Sequence, residues 1–306
     1  MRAMAYREYG EPKTLELMDL PVPKVAPGTV LIRVERASVN PVDWKVMSGG
    51  LDEMLDAVFP VIPGWDVAGT VEAVGPDAPE FSVGDRVASY ARKDFVHGGT
   101  YGEYVAVPAT SVAHVPAGVD MDTAAGLPLA GLTALRTLET LKVSAEDRLL
   151  IHAASGGVGH IAAQLAGEIG AEVIGTASEA NHAALENLGA TALTYGDGLQ
   201  ERLRQQHPDG VTAVADFAGE VLEQTLGVLS DGGRHASVAD PSVVEHGGHF
   251  IWVRPDGTRL EKLLRKVAEG QLKVSIDTVY PLEQAAQAME HNQRGSNGKI
   301  LIDTTA

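Results

Sequence analysis

The sequence predicts an α/β protein of two domains: a mostly antiparallel β domain and a doubly wound domain built on a parallel sheet. Three observations lead there. The chain has 306 residues and is 44% hydrophobic, enough apolar material for two ordinary cores. Its first third carries short β-branched runs broken by Pro and Gly, the rhythm of an antiparallel domain with irregular loops. From about residue 122 strand-like runs alternate with helical ones, the rhythm of βαβ units.

Taken in order, the expected strands of the first domain are Val30 to Val34, Asp66 to Val74, Arg86 to Tyr90 and Tyr104 to Val107. The second domain is expected to open with a strand at Arg148 to Ala154, a helix at Ile161 to Ile169 and a strand at Ala171 to Ala177. A helix at His182 to Leu188 and a strand at Thr191 to Tyr195 follow. The same alternation covers Thr212 to Phe217, a helix near Val221 to Leu229, and Arg234 to Val238, with Phe250 to Val253 as a further strand. After Pro255 come a helix at Arg259 to Glu269, a strand, a helix at Glu283 to Arg294 and a last apolar run, Lys299 to Ile302. That tail offers no further parallel unit, so it is expected to return to the first domain. The domains are therefore drawn as 1–122 with 255–306, and 123–254 inserted between them.

Composition removes several classes of function. The 24 Lys and Arg stand against 41 Asp and Glu, and the resulting charge of -17 repels phosphate backbones and anionic membranes. No nucleic acid and no membrane partner is expected. The absence of cysteine excludes disulfides, a thiolate nucleophile and thiolate zinc ligands. The start of the chain lacks the apolar stretch and cleavage site of a signal peptide, and no run is long enough to span a bilayer. The expected location is the cytoplasm.

The most informative stretch is Arg148 to Ser178, which reads strand, glycine-rich turn, helix, strand. In the turn Ser155-Gly156-Gly157-Val158-Gly159, small residues let the backbone approach a pyrophosphate while helix N–H groups point at it. In this context the glycines signal a dinucleotide site. An NAD site carries an acid at the end of the second strand, whereas here the strand ends Gly175-Thr176-Ala177-Ser178. Small neutral residues leave room for a 2′-phosphate and favour NADPH, with NADH as the alternative. Two facts stand against it: no Lys or Arg occurs from Ala171 to Glu201, and Glu179 lies nearby, either as a ribose ligand or as the first-turn acid of the next helix.

Several segments together resemble the zinc-independent quinone oxidoreductase branch of the medium-chain dehydrogenase/reductase superfamily, over nearly the whole chain. They are the opening MRAMAYREYGEPKTLEL, Ser38 to Lys45, Pro63-Gly64-Trp65-Asp66-Val67-Ala68-Gly69, Val83-Gly84-Asp85-Arg86-Val87, Leu129 to Ala134, the glycine turn, and Gly298-Lys299-Ile300. The resemblance implies a GroES-like catalytic domain and a Rossmann cofactor domain. Zinc-dependent members place a Cys where Asn40 stands and a His where Trp65 stands, so neither zinc site of the superfamily has its ligands here. Without a Lewis acid, the implied substrates are small quinones or enones, which spread the charge left by an arriving hydride and need only hydrogen-bond donors. The same likeness implies an association of two copies through the cofactor domain.

By position, the resemblance puts Asn40 beside the nicotinamide and substrate, and Asp43 near the same cleft. Asp43 is either a direct participant or the N-cap of a helix. Lys45 stands where many relatives have Tyr, and it either replaces that phenol or faces solvent. Thr133 and Ser155 fall near the nicotinamide side and the pyrophosphate, with Gly156, Gly157 and Val158 in the turn and Thr176 at the strand end. Ser178, Asn181 and Tyr195 fall at the adenosine phosphate, and Phe217, Phe250 and Trp252 near the nicotinamide or in the core. Two other readings stay open: a 2-alkenal or enoyl reductase on this fold, and a crystallin-like or regulatory NADPH-binding protein without turnover.

Overall fold

A computed structural model describes residues 1–306. The β-branched runs of the first third become strands distributed over three sheets. In chain order these are β1 (Arg2–Ala5), β2 (Glu16–Asp19), β3 (Thr29–Val39), β4 (Ala57–Ile62), β5 (Asp66–Val74), β6 (Arg86–Tyr90), β7 (Val96–Gly98), β8 (Tyr104–Pro108) and β9 (Val112–His114). The long strand β3 organises them. Its Val30, Ile32, Val34 and Val39 are buried, and it pairs antiparallel with both β5 and β8. Two helices interrupt the strands, α1 (Pro41–Met47) and α2 (Met121–Gly126).

Next come α3 (Pro128–Leu141) and a sheet of six parallel strands: β10 (Arg148–His152), β11 (Glu172–Ala177), β12 (Thr191–Thr194), β13 (Val211–Asp216), β14 (Leu229–Ser237) and β15 (His249–Phe250). Their spatial order is β12-β11-β10-β13-β14-β15, the doubly wound order, with a topological switch point between β10 and β13. The crossovers are α4 (Gly157–Ile169), α5 (His182–Glu186), α6 (Leu199–Gln206) and α7 (Leu222–Val228). Strands buried on both faces read as continuous apolar runs. Leu150, Ile174 and Val214 pack with Leu199 and Leu203 of α6 and Val228 of α7 in one core.

The tail forms α8 (Gly257–Ala268), β16 (Ile276–Pro281), α9 (Ala285–Arg294) and β17 (Lys299–Asp303). β17 pairs antiparallel with β3, Ile300 opposite Val39, which carries the C-terminus into the first sheet. The chain thus divides into Met1–Leu129 with Arg254–Ala306, and Ala130–Val253. The first boundary lies at 129 rather than 122 because α2 packs on β3, β5 and β17. The expected strand at Phe250 to Val253 is shorter and starts earlier. Only His249 and Phe250 pair with β14, and Pro255, which has no N–H for a ladder, follows within a few residues.

Candidate active site

In the first unit, the loop from β3 into α1 and the ends of β5 and β17 bring together polar side chains that are far apart in sequence. Asn40 is the N-cap residue of α1, and Asp43 sits at the third helical position rather than at the cap. The Asp43 Oδ2 accepts from the Asn40 backbone N–H at 2.8 Å and from the Tyr101 hydroxyl at 3.0 Å. Its Oδ1 is buried and has no partner. Burial pushes the Asp43 carboxyl up to about 7, against the pull of the Asn40 N–H and the Tyr101 hydroxyl. The proton of the neutral acid therefore belongs on Oδ1, since Oδ2 already accepts two donors.

Asn40 is 3% exposed and its amide is fully committed. The Lys299 ammonium donates to its Oδ1 at 2.6 Å, while its Nδ2 donates to Asp66 at 2.9 Å and to the Ser38 carbonyl at 3.4 Å. The amide cannot turn round, because its NH2 would then face an ammonium. Asn40 is thus a bridge between a buried cation and a buried carboxylate, with no donor left over for a substrate oxygen. The Lys299 Nζ also lies 3.8 Å from Asp66 Oδ2, whose Oδ1 accepts from the Leu129 N–H at 2.8 Å. Burial raises the Asp66 carboxyl to about 6, opposed by Lys299, and burial lowers the Lys299 ammonium. Each group tolerates burial only because of the other, and losing one partner of such a pair costs about 3–5 kcal/mol.

Lys45 does not join this cluster. Residues two apart on a helix face different ways, and its side chain is exposed with the ammonium 5.6 Å from the centre of the Trp44 ring. Asp43 lines a small, partly open cleft within the unit, together with Val46, Trp65, Lys93, Phe95 and His97. Lys93 was invisible to sequence reasoning, since a lysine in a charged loop reads as surface. Lys299 and Asp66 were each part of a noticed motif, but no spacing in the sequence links them to Asn40.

In the second unit, the residues expected to hold a cofactor gather at the carboxyl ends of the parallel strands, where open α/β sheets bind ligands. Ser155, Gly156, Gly157 and Val158 follow β10, Thr176 and Ser178 end β11, Asn181 lies one turn on, Tyr195 follows β12, Phe217 follows β13, and Phe250 and Trp252 close β15. Thr133 is buried on α3, where its carbonyl accepts from Thr137. The turn is held from below: Thr176 Oγ1 accepts from the Ala153 N–H at 3.1 Å, and its carbonyl from the Ala154 N–H at 2.9 Å. Ala153 has φ 54, a left-handed conformation that costs an L-residue energy and recurs at ligand sites. Gly156 caps α4, and the first N–H groups of a helix have no carbonyl one turn back.

A pyrophosphate fits this turn. A Cβ at Gly156 would meet only the Ala153 carbonyl, at 3.3 Å, so the side of the glycine away from the protein is open to an anion. Ser178 and Asn181 bond each other at 3.3 Å, and the exposed Tyr195 flanks the end of β12. Arg202 is the first Lys or Arg after the neutral strand end, and its guanidinium donates to the carbonyls of Thr194 and Asp197 beside Tyr195.

Residues 26–117 match the alcohol dehydrogenase GroES-like domain family, and residues 188–302 match a family described as zinc-binding dehydrogenase. The quinone oxidoreductase of Sus scrofa is 31% identical over 99% of this chain and 97% of its own length. The chain belongs to the quinone oxidoreductase branch of the medium-chain dehydrogenase/reductase superfamily. An NADPH-dependent alkenal/one oxidoreductase of Arabidopsis thaliana is also 31% identical, over 99% of this chain and 79% of that protein. Among solved structures, the quinone oxidoreductase from Coxiella burnetii superposes with a TM-score of 0.89 at 32% identity, covering 99% of each chain. A mycobacterial protein complexed with NADPH superposes with a TM-score of 0.86 at 29% identity, again over 99% of each.

This medium-chain oxidoreductase is therefore an enzyme with a GroES-like unit and a parallel-sheet nucleotide unit. No group of three or more His, Cys, Asp or Glu side chains is placed to hold a metal ion. No helix is long and apolar enough to cross a membrane.

Proposed function

We propose that the enzyme uses NADPH to reduce quinones or related conjugated carbonyl compounds without a metal ion. The observation that carries the chemistry is Asp43, a buried carboxyl on the cleft with one unpartnered oxygen and a proton retained up to about pH 7. A carbonyl that has received hydride becomes an oxyanion and needs such a donor. Bound in the turn after β10, the nicotinamide cofactor would supply the hydride. Gly156, Gly157 and Val158 would hold its pyrophosphate, and Thr133, Phe217, Phe250 and Trp252 would border its nicotinamide end. Ser178, Asn181 and Tyr195 would meet its adenosine phosphate, where the neutral end of β11 and the neighbouring Arg202 suit a 2′-phosphate better than NADH.

Asn40 acts through Asp43 rather than on the substrate, because its backbone N–H holds the acid while its side chain is spent. The position that carries a thiolate in zinc-dependent relatives is here an amide whose oxygen already bears an ammonium, and this donor set supports the metal-independent reading. Mixing the purified enzyme with NADPH and a simple naphthoquinone is expected to consume the nicotinamide absorbance, and EDTA is expected to leave the rate unchanged. A rate that collapses in EDTA, or a preference for NADH, would overturn the corresponding part.

The enzyme is further proposed to act in the cytoplasm as a homodimer. β15 is an open edge of the parallel sheet with only two paired residues, and exposed edges invite cover. Sedimentation at micromolar concentration is expected to show two copies; a monomer there would end the idea.

A further inference from the structure

Lys93 is a charged group of the cleft with no part in the reduction described above. It lies on the loop between β6 and β7, partly buried, with Nζ donating to the Gly98 carbonyl at 2.7 Å. No carboxylate pairs with it, although acids outnumber bases 41 to 24 in this chain. The next residue, Asp94, pairs instead with Arg92 at 4.0 Å. Burial alone pulls the Lys93 ammonium below the usual lysine range, so nothing in the protein offsets the cost of holding this charge out of water. Two of its three N–H donors remain free, and the bond to Gly98 keeps the third in place.

The surroundings say what would complete it. Trp65 and Phe95 give the same cleft an aromatic lining, with Phe95 stacked on His97, and Asp43 lines it as well without pairing with Lys93. The acidic field of the whole chain opposes any anion that approaches, so a cation kept unpaired inside the cleft is a local reversal of that field. Charge-assisted bonds from a partly desolvated ammonium are the strong kind.

We propose that Lys93 is a specificity-determining residue, and that the cleft takes conjugated carbonyl compounds bearing an anionic group such as a carboxylate or sulfonate. The anion sits on the two free donors of Lys93, and the carbonyl lies toward Asp43. This rests on the quinone and enone reading given above.

Two measurements separate them. In steady-state kinetics with NADPH, a naphthoquinone and its sulfonated counterpart are compared on the wild type, Lys93→Met and Lys93→Arg. Lys93→Met is expected to lose about tenfold or more in kcat/KM for the sulfonate relative to the uncharged quinone, chiefly in KM, as befits one charge-assisted contact. Lys93→Arg keeps the wild-type ratio within about threefold, because its fork also carries the charge. Equal losses for both acceptors, or none for either, would overturn the proposal. Calorimetry with naphthalenesulfonate, which accepts no hydride, reads the same site without turnover: binding weakened in Lys93→Met supports the proposal, and equal binding refutes it. An enzyme that binds the sulfonate through Lys93 yet reduces neither quinone would instead refute the quinone reading alone.

Discussion

Replacing Gly156 by Val is expected to abolish NADPH binding while the fold survives. Gly156 has φ -74 and ψ 173, extended values that a β-branched residue adopts without strain. The only protein atom near its would-be Cβ is the Ala153 carbonyl oxygen at 3.3 Å, which needs a shift of a few tenths of an ångström at most. The valine methyls therefore project where the pyrophosphate has to approach the helix N-terminus. A titration followed by nicotinamide fluorescence should show affinity weakened by about 100-fold or more, with the circular dichroism of the wild type. Gly159→Ala is the informative contrast. Its Cβ would lie 2.3 Å from the Ala153 oxygen and 2.7 Å from the Ala154 Cα, so that variant breaks the turn itself. Wild-type affinity in Gly156→Val would mean that the phosphates lie elsewhere.

The difference between these glycines shows what a sequence can and cannot say. The strand, turn and helix around Gly156 follow from local periodicity, and the parallel order follows from the repeated alternation of strands and helices. The placing of Ser155, Thr176, Tyr195 and Phe217 at one end of the sheet then needs no further information, since every βαβ crossover returns the chain to the same edge. Which glycine meets protein and which meets open space is a matter of tertiary contact, and the pattern does not contain it.

The catalytic unit was legible in outline and opaque in its polar core. Asn40 and Asp43 were visible as neighbours on a helix start, yet their roles depend on Tyr101, 58 residues beyond Asp43, and on Lys299, 259 residues beyond Asn40. The Lys299 contact arises because β17 runs beside β3, a pairing set by buried valines and isoleucines rather than by the charged residues themselves. Lys45 illustrates the reverse. Helix geometry alone separates it from Asp43, and the structure places it on the exposed side of α1.

Asp43→Asn is expected to remove the acid without disturbing its frame. The asparagine oxygen can accept from the Asn40 N–H and Tyr101 hydroxyl as Oδ2 does, and its NH2 takes the place of the unpartnered Oδ1. Loss of a general acid costs about 10²–10⁴-fold in turnover. The wild-type rate should fall as pH rises through about 7, since only the protonated carboxyl donates, and the residual rate of the variant should lack that alkaline limb. Stability supplies an independent check. The folded-state value is raised above that of an unfolded Asp, so the protonated carboxyl contributes stability that is present in acid and lost as pH rises through about 7. The variant should thus melt above the wild type at pH 8, where the wild type holds a buried charge, and the gap should narrow as pH falls below about 7 and close only near the unfolded value of 3.8. A variant that keeps the alkaline limb, or that gains nothing in melting temperature at pH 8, would show that Asp43 is neither the acid nor a neutral group in the folded enzyme.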